Sequence, residues 1–261
     1  MNKEKNAPIP LLIGVTGHRD ILDADVPRVR KAIHSILSDY QSRFPNDKTI
    51  LITMLSAGAD LLAAEVALES GLEIIGLLPF DQELYLDDFP DEGELLRFQS
   101  ALRFCSAVYT VPIDPRSSRD AVARPGGARD DQYALGGAFM ARYSHALIAV
   151  WDGLDAGLRG GTADIVRMRL DAAGRPCPVH WVYASRKQSL LASPVPPERL
   201  PFDCEIARRD GECLIAELNA TGSRSAIAAD ALCDARFGSK DFHGKLGELI
   251  KEFCDETGRK R

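Results

Sequence analysis

The sequence has no stretch long enough and apolar enough to span a bilayer. Its longest apolar run, Ile9 to Val15, is strand-sized and is interrupted by Pro10 and Gly14. The opening residues, MNKEKNAP, carry charge but no apolar segment and no cleavage-like pattern. They read as no signal peptide, and a cytoplasmic protein is the expectation. Metal-binding patterns are absent too: Cys105, Cys177, Cys204, Cys213, Cys233 and Cys254 form no C-x-x-C pair and no ligand spacing with the five histidines. Isolated reduced thiols and no metal are expected. Basic charge is in deficit, 32 Lys and Arg against 38 Asp and Glu, for a net charge of −6. That balance excludes a protein holding nucleic acid by its backbone charge, while leaving room for a local pocket that takes one small anion. Neither G-x-G-x-x-G nor G-x-x-x-x-G-K-[ST] occurs, so the dinucleotide fingerprint and the P-loop are both unsupported and no cofactor is expected.

What is present is an ordinary folded composition, 45% apolar and 27% charged over 261 residues, enough for one α/β domain and an extension. Apolar runs at 10–16, 49–55, 73–78, 107–111, 146–151 and 179–183 read as six strands, several stopped by glycine or proline. Between them lie helical patterns: Val26, Val29, Ile33, Ile36 and Tyr40 at three- and four-residue steps, then 60–70, 94–105, 130–144 and about 162–173. Residues 81–93 and 113–129 read as loops, the second mobile and rich in arginine (Arg116, Arg119, Arg124, Arg129). Alternating strands and helices, with strands apolar on both faces, predict a Rossmann-like, doubly wound, mostly parallel sheet of about six strands over residues 8–185. Residues 186–261 read as a linker, stiff at Ser193 to Pro197, and a C-terminal helical extension with Phe242, Leu246, Leu249, Ile250 and Phe253 on one face.

Ligands of open α/β sheets sit beyond the carboxyl ends of the strands, where three turns stand out. The first holds Gly17, His18 and Arg19: a glycine for close backbone approach and two donors. The second, Ser56, Ala57, Gly58 and Asp60, opens a helix whose free N–H groups suit an anion, with Asp60 either an N-terminal acid or an acceptor for a ribose hydroxyl. The third joins Asp152 and Gly153 to Arg159, Gly160, Gly161 and Thr162, a phosphate cradle with a counter-charge at the start of a helix.

These segments together resemble the SLOG superfamily, which embraces DprA-like and LOG proteins and the YpsA group. The resemblance runs from Leu11 to about Tyr183. Its main carrier is Ser56-Ala-Gly-Ala-Asp60 with the following helix to Leu68 and Gly76-Leu-Leu-Pro79; the Gly14 to Arg19 and Ala146 to Gly153 segments, with Gly160 to Thr162, add to it. It implies a Rossmannoid domain that binds a nucleotide or nucleotide-derived ligand, often as a sensor coupled to an effector. LOG enzymes cleave base from nucleoside monophosphate with G-G-x-G-T-x-x-E and an arginine in the preceding helix. Here the turn is shorter, Ile165 stands at the glutamate position, and the arginine position falls at about Gly136. Asp164 lies one residue early, and one helical step rotates a side chain by roughly 100°. DprA-like loading of single-stranded DNA asks for a positive groove with stacking aromatics, which an acidic chain with 7% aromatics does not supply.

Three functions follow as expectations. The first is a ligand-binding module using backbone N–H groups, with Arg19 and Arg159 as charge partners and Asp60 or Asp152 for ribose hydroxyls. The second is a nucleotide N-glycoside hydrolase with Asp164 or Glu65 as acid and base. The third is a scaffold that self-associates through the terminal helix, Asp241 to Glu252. The departures from the LOG pattern favour the binding module, with a small nucleotide-like ligand, a possible homo-oligomer or effector partner, and neither membrane nor nucleic acid.

Overall fold

A computed structural model describes residues 10–171, 178–188, 200–201, 204–210, 215–220 and 241–260. Six parallel strands follow the apolar runs: β1 (Leu11–Gly17), β2 (Thr49–Thr53), β3 (Glu73–Leu78), β4 (Ala107–Thr110), β5 (Ala146–Trp151) and β6 (Val179–Tyr183). The period-two alternation of a strand divides each run between two cores. From β5, Ala146, Ile148 and Val150 enter one core, and Leu147, Ala149 and Trp151 enter the other.

Helices cover both faces, as a parallel sheet demands. The first core is roofed by α1 (Val26–Arg43), α2 (Ala59–Glu69), the short α3 (Gln82–Leu86) and α4 (Glu92–Phe104), through Ile33, Leu37, Leu62, Leu84 and Phe98. The short α5 (Arg119–Val122) follows β4. The second core is roofed by α6 (Gly127–Tyr143), α7 (Thr162–Leu170) and α8 (Phe242–Lys260), through Phe139, Val166, Leu249 and Phe253.

With two further strands, β7 (Cys204–Asp210) and β8 (Ile215–Ala220), the strand order is β4-β3-β2-β1-β5-β6-β8-β7. From β1 the chain winds outward to β4, returns along α6 to β5, and lies down beside β1 on its other side. The order therefore reverses between β1 and β5, and open α/β sheets take their ligands at such a switch point. The Rossmann-like, doubly wound architecture is as the alternating pattern predicts.

The sheet extends further than the sequence suggests. Residues expected to belong to the linker and helical extension form β7 (Cys204–Asp210) and β8 (Ile215–Ala220), with β8 antiparallel to β6 and β7 antiparallel to β8. The expected loop at 81–93 contains α3 and the start of α4. The expected mobile loop at 113–129 contains α5 and the first turn of α6. Arg129, one of the arginines of that stretch, is buried. The stiff stretch Ser193 to Pro197 and the opening residues lie outside the described residues. Among the described residues no helix is long and apolar enough to cross a membrane.

Candidate functional site

The first two turns meet because two glycines let backbone approach backbone. A Cβ on Gly17 would lie 2.4 Å from the Ala59 Cβ and 2.6 Å from the Val150 carbonyl oxygen, so the end of β1 threads between the start of α2 and β5. Gly58 has φ +75°, and a Cβ there would lie 2.3 Å from the His18 carbonyl oxygen and 2.4 Å from that of Arg19. The Ala59 N–H donates to the His18 carbonyl at 2.9 Å across this contact. Leu55, just before the second turn, is the non-glycine residue held at φ 57°, a conformation that costs an L side chain roughly 1–2 kcal/mol. The turn keeps it because Leu55 is buried in the first core and its N–H is held by the Thr53 hydroxyl.

His18 carries the contact on to β5. Its side chain is buried, with the residue 2% exposed, and its N–H donates to the Val150 carbonyl at 3.0 Å. Ring Nε2 accepts the Asp152 N–H at 3.0 Å and lies 3.1 Å from the Asp152 carboxylate. Burial alone would raise the Asp152 carboxyl, but His18, the Leu154 N–H and Arg186 together hold it below the ordinary carboxylate value. The turns after β1, β2 and β5 thus form one assembly at the switch point.

Charge inside it is paired in an order the sequence does not show. Asp60 is 1% exposed and its carboxylate lies 3.4 Å from the Ser56 N–H. Burial pushes it up to about 6 against the opposing pull of Ser56, Thr53 and Arg19. Arg19 keeps 44% of its side chain exposed and lies 3.6 Å from Asp88, with its guanidinium 5.0 Å over the Tyr133 ring. Burial of its stem would weaken its hold on the proton, but Tyr133, Tyr85 and Asp88 outweigh this and keep it a cation. Asp88 also accepts the Tyr133 hydroxyl and pairs with buried Arg129 at 2.8 Å. Arg129 in turn donates to the carbonyls of Val122 and Leu84 and stacks 4.1 Å over Phe80. Beneath them, the Tyr85 hydroxyl donates to the Met54 carbonyl at 3.0 Å.

A strap closes one side. The Leu22 N–H donates to the Ser185 carbonyl and the Lys187 N–H to the Asp20 carbonyl, both at 2.8 Å, around an antiparallel bridge between Ile21 and Arg186. Since β5 lies between β1 and β6, residues 184–188 pass across the end of β5. The Asp25 carboxylate accepts the Ser185 N–H at 2.8 Å, and Arg186 lies 3.3 Å from both Asp152 and the His18 ring.

The third turn is placed differently from the expectation. Gly160, at φ +71°, seats against α6, where a Cβ would lie 2.6 Å from the Ala134 nitrogen and 3.0 Å from the Tyr133 Cβ. Arg159 pairs with Asp131 on α6, and Gly161 precedes the buried Thr162 as the cap residue of α7. Tyr133 therefore stands between the Arg19 corner and the double-glycine bend. Gly153, buried at φ +85°, belongs to the Asp152 side.

Several of the groups around the turns are engaged by partners from the chain itself. The Ala59 N–H is taken by His18, the Gly160 N–H by the Asp164 carboxylate at 2.9 Å, and the Ser56 N–H faces Asp60. These amides satisfy protein acceptors, and the acidic group at the start of α2 is the chain's own Asp60. Asp164, offered as an acid, caps its own turn. Glu65, offered as the other, lies in the helical layer between Arg30 at 3.0 Å and Arg97 at 2.6 Å. The sequence reading did not single out Asp88, Tyr133 and Arg129, which lie away from the strand ends, or Arg186, which lies beyond β6.

A separate cleft lies between Pro112 and Asp114 after β4, Asp131 and Leu135 of α6, and Cys254 and Asp255 of α8. It contains no predicted site residue. Its three aspartates do not suit an anion. Among the described residues no group of three His, Cys, Asp or Glu side chains is placed to hold a metal ion.

No protein-family model matches the chain, and no curated protein matches it. Among solved structures it is similar to DNA processing protein A (DprA) from Streptococcus pneumoniae, at 14% identity and a TM-score of 0.40, covering 62% of this chain and 47% of that one. It is similar to DNA processing protein A from Helicobacter pylori, described for its single-stranded DNA binding mode, at 14% identity and a TM-score of 0.39, covering 62% of this chain and 61% of that one. It is also similar to the molybdenum cofactor carrier protein from Chlamydomonas reinhardtii, at 19% identity and a TM-score of 0.35, covering 67% of this chain and 75% of that one. The chain thus matches less than two thirds of the length of either DprA structure.

Proposed function

We propose that the chain is a binding module for a small nucleotide-derived anion, taken at the β1/β5 switch point by guanidinium groups rather than by backbone amides. The observation that carries this reading is Arg19. It is the half-exposed cation of the assembled turns, oriented from behind by Asp88 and the Tyr133 ring, and such a fixed guanidinium is suited to bidentate recognition of phosphate. Arg186, partly exposed across the end of β5, supplies a second cation on the strap side. Asp152, beside Arg186, is offered as an acceptor for ribose hydroxyls. Occupancy would be reported to an effector through the strap, the element that ties both sides of the crevice.

The test is thermal unfolding with AMP, ADP-ribose and cyclic nucleotides. A ligand at a hundred times its Kd adds about 2.7 kcal/mol, and Arg19→Ala should weaken binding by roughly 10- to 100-fold, the worth of a hydrogen bond to a charged group. No shift with any of these compounds at millimolar concentration overturns the reading. Oligothymidylate is the control for a nucleic-acid site and is expected to give no shift. No observation favours the N-glycosidase, since Asp164 and Glu65 are engaged as described. Assays for released base are expected to show none.

A further inference from the structure

An arginine is almost never buried unless paired, because water must be stripped from its charge. Arg129 is 7% exposed, and its guanidinium has three kinds of partner. Nη1 donates to the Val122 carbonyl of α5 at 2.8 Å. Nη2 donates to the Leu84 carbonyl of α3 at 3.1 Å and lies 2.8 Å from Asp88 Oδ1. The group also lies over the Phe80 ring. The two carbonyls ask only for N–H donors; among the described residues the charge is matched by Asp88. Asp88 is shared unequally. Its other oxygen, Oδ2, accepts the Tyr133 hydroxyl and lies 3.6 Å from Arg19. The Arg129 distance is that of a charge-assisted hydrogen bond, and the Arg19 distance is too long for one.

We propose that Arg129 is a positioning residue for the anion site: it takes up the Asp88 charge, so that Asp88 orients Arg19 without neutralising it. This rests on the binding module proposed above and names the residue that keeps its guanidinium available. Arg129 acts on Asp88 twice. It answers the carboxylate directly, and through the Leu84 carbonyl it holds the end of α3, four residues before Asp88 in the chain. Remove the buried cation, and Arg19 is the cation left to Asp88 among the described residues. The carboxylate then closes on Arg19, and the donors that would meet a phosphate are turned inward. Tyr133 cannot stand in for Arg129, since its hydroxyl donates one hydrogen bond and carries no charge.

The rate at which phenylglyoxal modifies Arg19 reports how free its guanidinium is, with no ligand present. It is read by peptide mass spectrometry on the full chain, with the exposed Arg103 as internal reference. Arg129→Met is expected to slow modification of Arg19, and to weaken AMP binding, by about tenfold, the low end for a hydrogen bond to a charged group. In an Asp88→Asn background the same substitution should alter neither by more than about twofold, because no carboxylate is left to release. Arg129→Lys keeps the charge but loses the fork that holds two carbonyls. It should lower the melting temperature and yet leave Arg19 reactive, which separates positioning from packing. If Arg129→Met alone does not fold, two comparisons carry the test: Arg129→Lys against wild type, and the double substitution, which buries no lone charge, against Asp88→Asn. A loss at Arg19 that persists without Asp88, an equal loss in Arg129→Lys, or an Arg19 rate indifferent to Arg129→Met overturns the proposal. A wild-type chain that takes up none of the nucleotides overturns the binding module instead, and the phenylglyoxal rates still decide the role of Arg129.

Discussion

At the scale of single residues, the switch point depends on what is missing from a side chain and on what is buried. Gly58→Ala forces a Cβ against two carbonyl oxygens at 2.3 and 2.4 Å from a φ that L residues avoid. Gly71, at φ +70°, has nothing within 4 Å of where a Cβ would stand, so Gly71→Ala reports the backbone penalty alone, roughly 1–2 kcal/mol. Gly58→Ala is expected to cost about 2 kcal/mol more in urea denaturation; equal costs would mean that the two turns are not packed against each other. Two buried groups oppose each other in pH dependence. Asp60, raised from 3.8 to about 6, binds more protons folded than unfolded between pH 4 and 6, so its contribution falls as pH rises through that window. His145 is pushed down by burial and the Arg169 charge to about 4, and its Nδ1 accepts the Leu12 N–H at 2.8 Å. It binds fewer protons folded than unfolded between about pH 4 and 6.5, so its contribution rises with pH. The two nearly cancel in the wild-type chain. Asp60→Asn should unmask the histidine: stability then climbs from pH 4 to 6.5, and the difference between variant and wild type shifts in the variant's favour across that window. Denaturant midpoints across that range that run parallel for the two proteins would refute the assignment. Of the site, His18, Arg19 and Asp152 were legible from position alone, because each follows an apolar strand. Asp88 and Tyr133 were not, since they lie away from the strand ends and reach Arg19 only through the fold. The same holds for the occupied amides: a helix start reads as an anion site until the protein's own acceptor is seen on it.

At the scale of elements, legibility followed burial. A strand buried on both faces has no polar face to interrupt it, and β2, β3 and β5 stand in the sequence as unbroken apolar runs ended by small or turn-forming residues. The sequences of β7 and β8, Cys204-Glu-Ile-Ala-Arg-Arg-Asp210 and Ile215-Ala-Glu-Leu-Asn-Ala220, mix charge into the run and do not announce a strand. Sheet membership there is decided by β6, whose free edge β8 pairs with, and by β8, which β7 pairs with in turn. The terminal helix was legible as amphipathic, and its face is committed inward: Leu246, Leu249, Ile250 and Phe253 are buried in the second core, with Phe253 edge-on to Phe139 at 5.6 Å. Leu249→Ala should therefore destabilise the chain by about 2–5 kcal/mol, the usual cost of truncating a core leucine. Its mass in solution should not change. A change in mass without a loss of stability would make α8 an association helix after all.

At the scale of the whole molecule, the strap couples the two halves of the doubly wound sheet. Residues 20–22 leave β1, residues 184–188 leave β6, and their ladder crosses the end of β5, so the outward-winding half and the returning half are joined above the crevice as well as through the sheet. One carboxylate anchors the crossing. Asp25 accepts the Ser185 N–H and pairs with Arg28 at 2.7 Å, and these partners outweigh burial to hold it below the ordinary carboxylate value. Arg28 also donates to the Tyr183 carbonyl, so the anchor reaches back to the end of β6. If the strap opens as one unit, Asp25→Ala should speed hydrogen exchange at the Leu22, Ser185 and Lys187 amides by one common factor. That factor is roughly 10- to 100-fold for a lost hydrogen bond to a charged group. The Ala59 amide, bonded to His18 beneath the strap, should exchange at its wild-type rate, because the contact at Gly58 does not depend on the ladder above it. Exchange measured residue by residue by NMR decides between this and independent loops. Acceleration confined to Ser185 would mean that the two segments only touch.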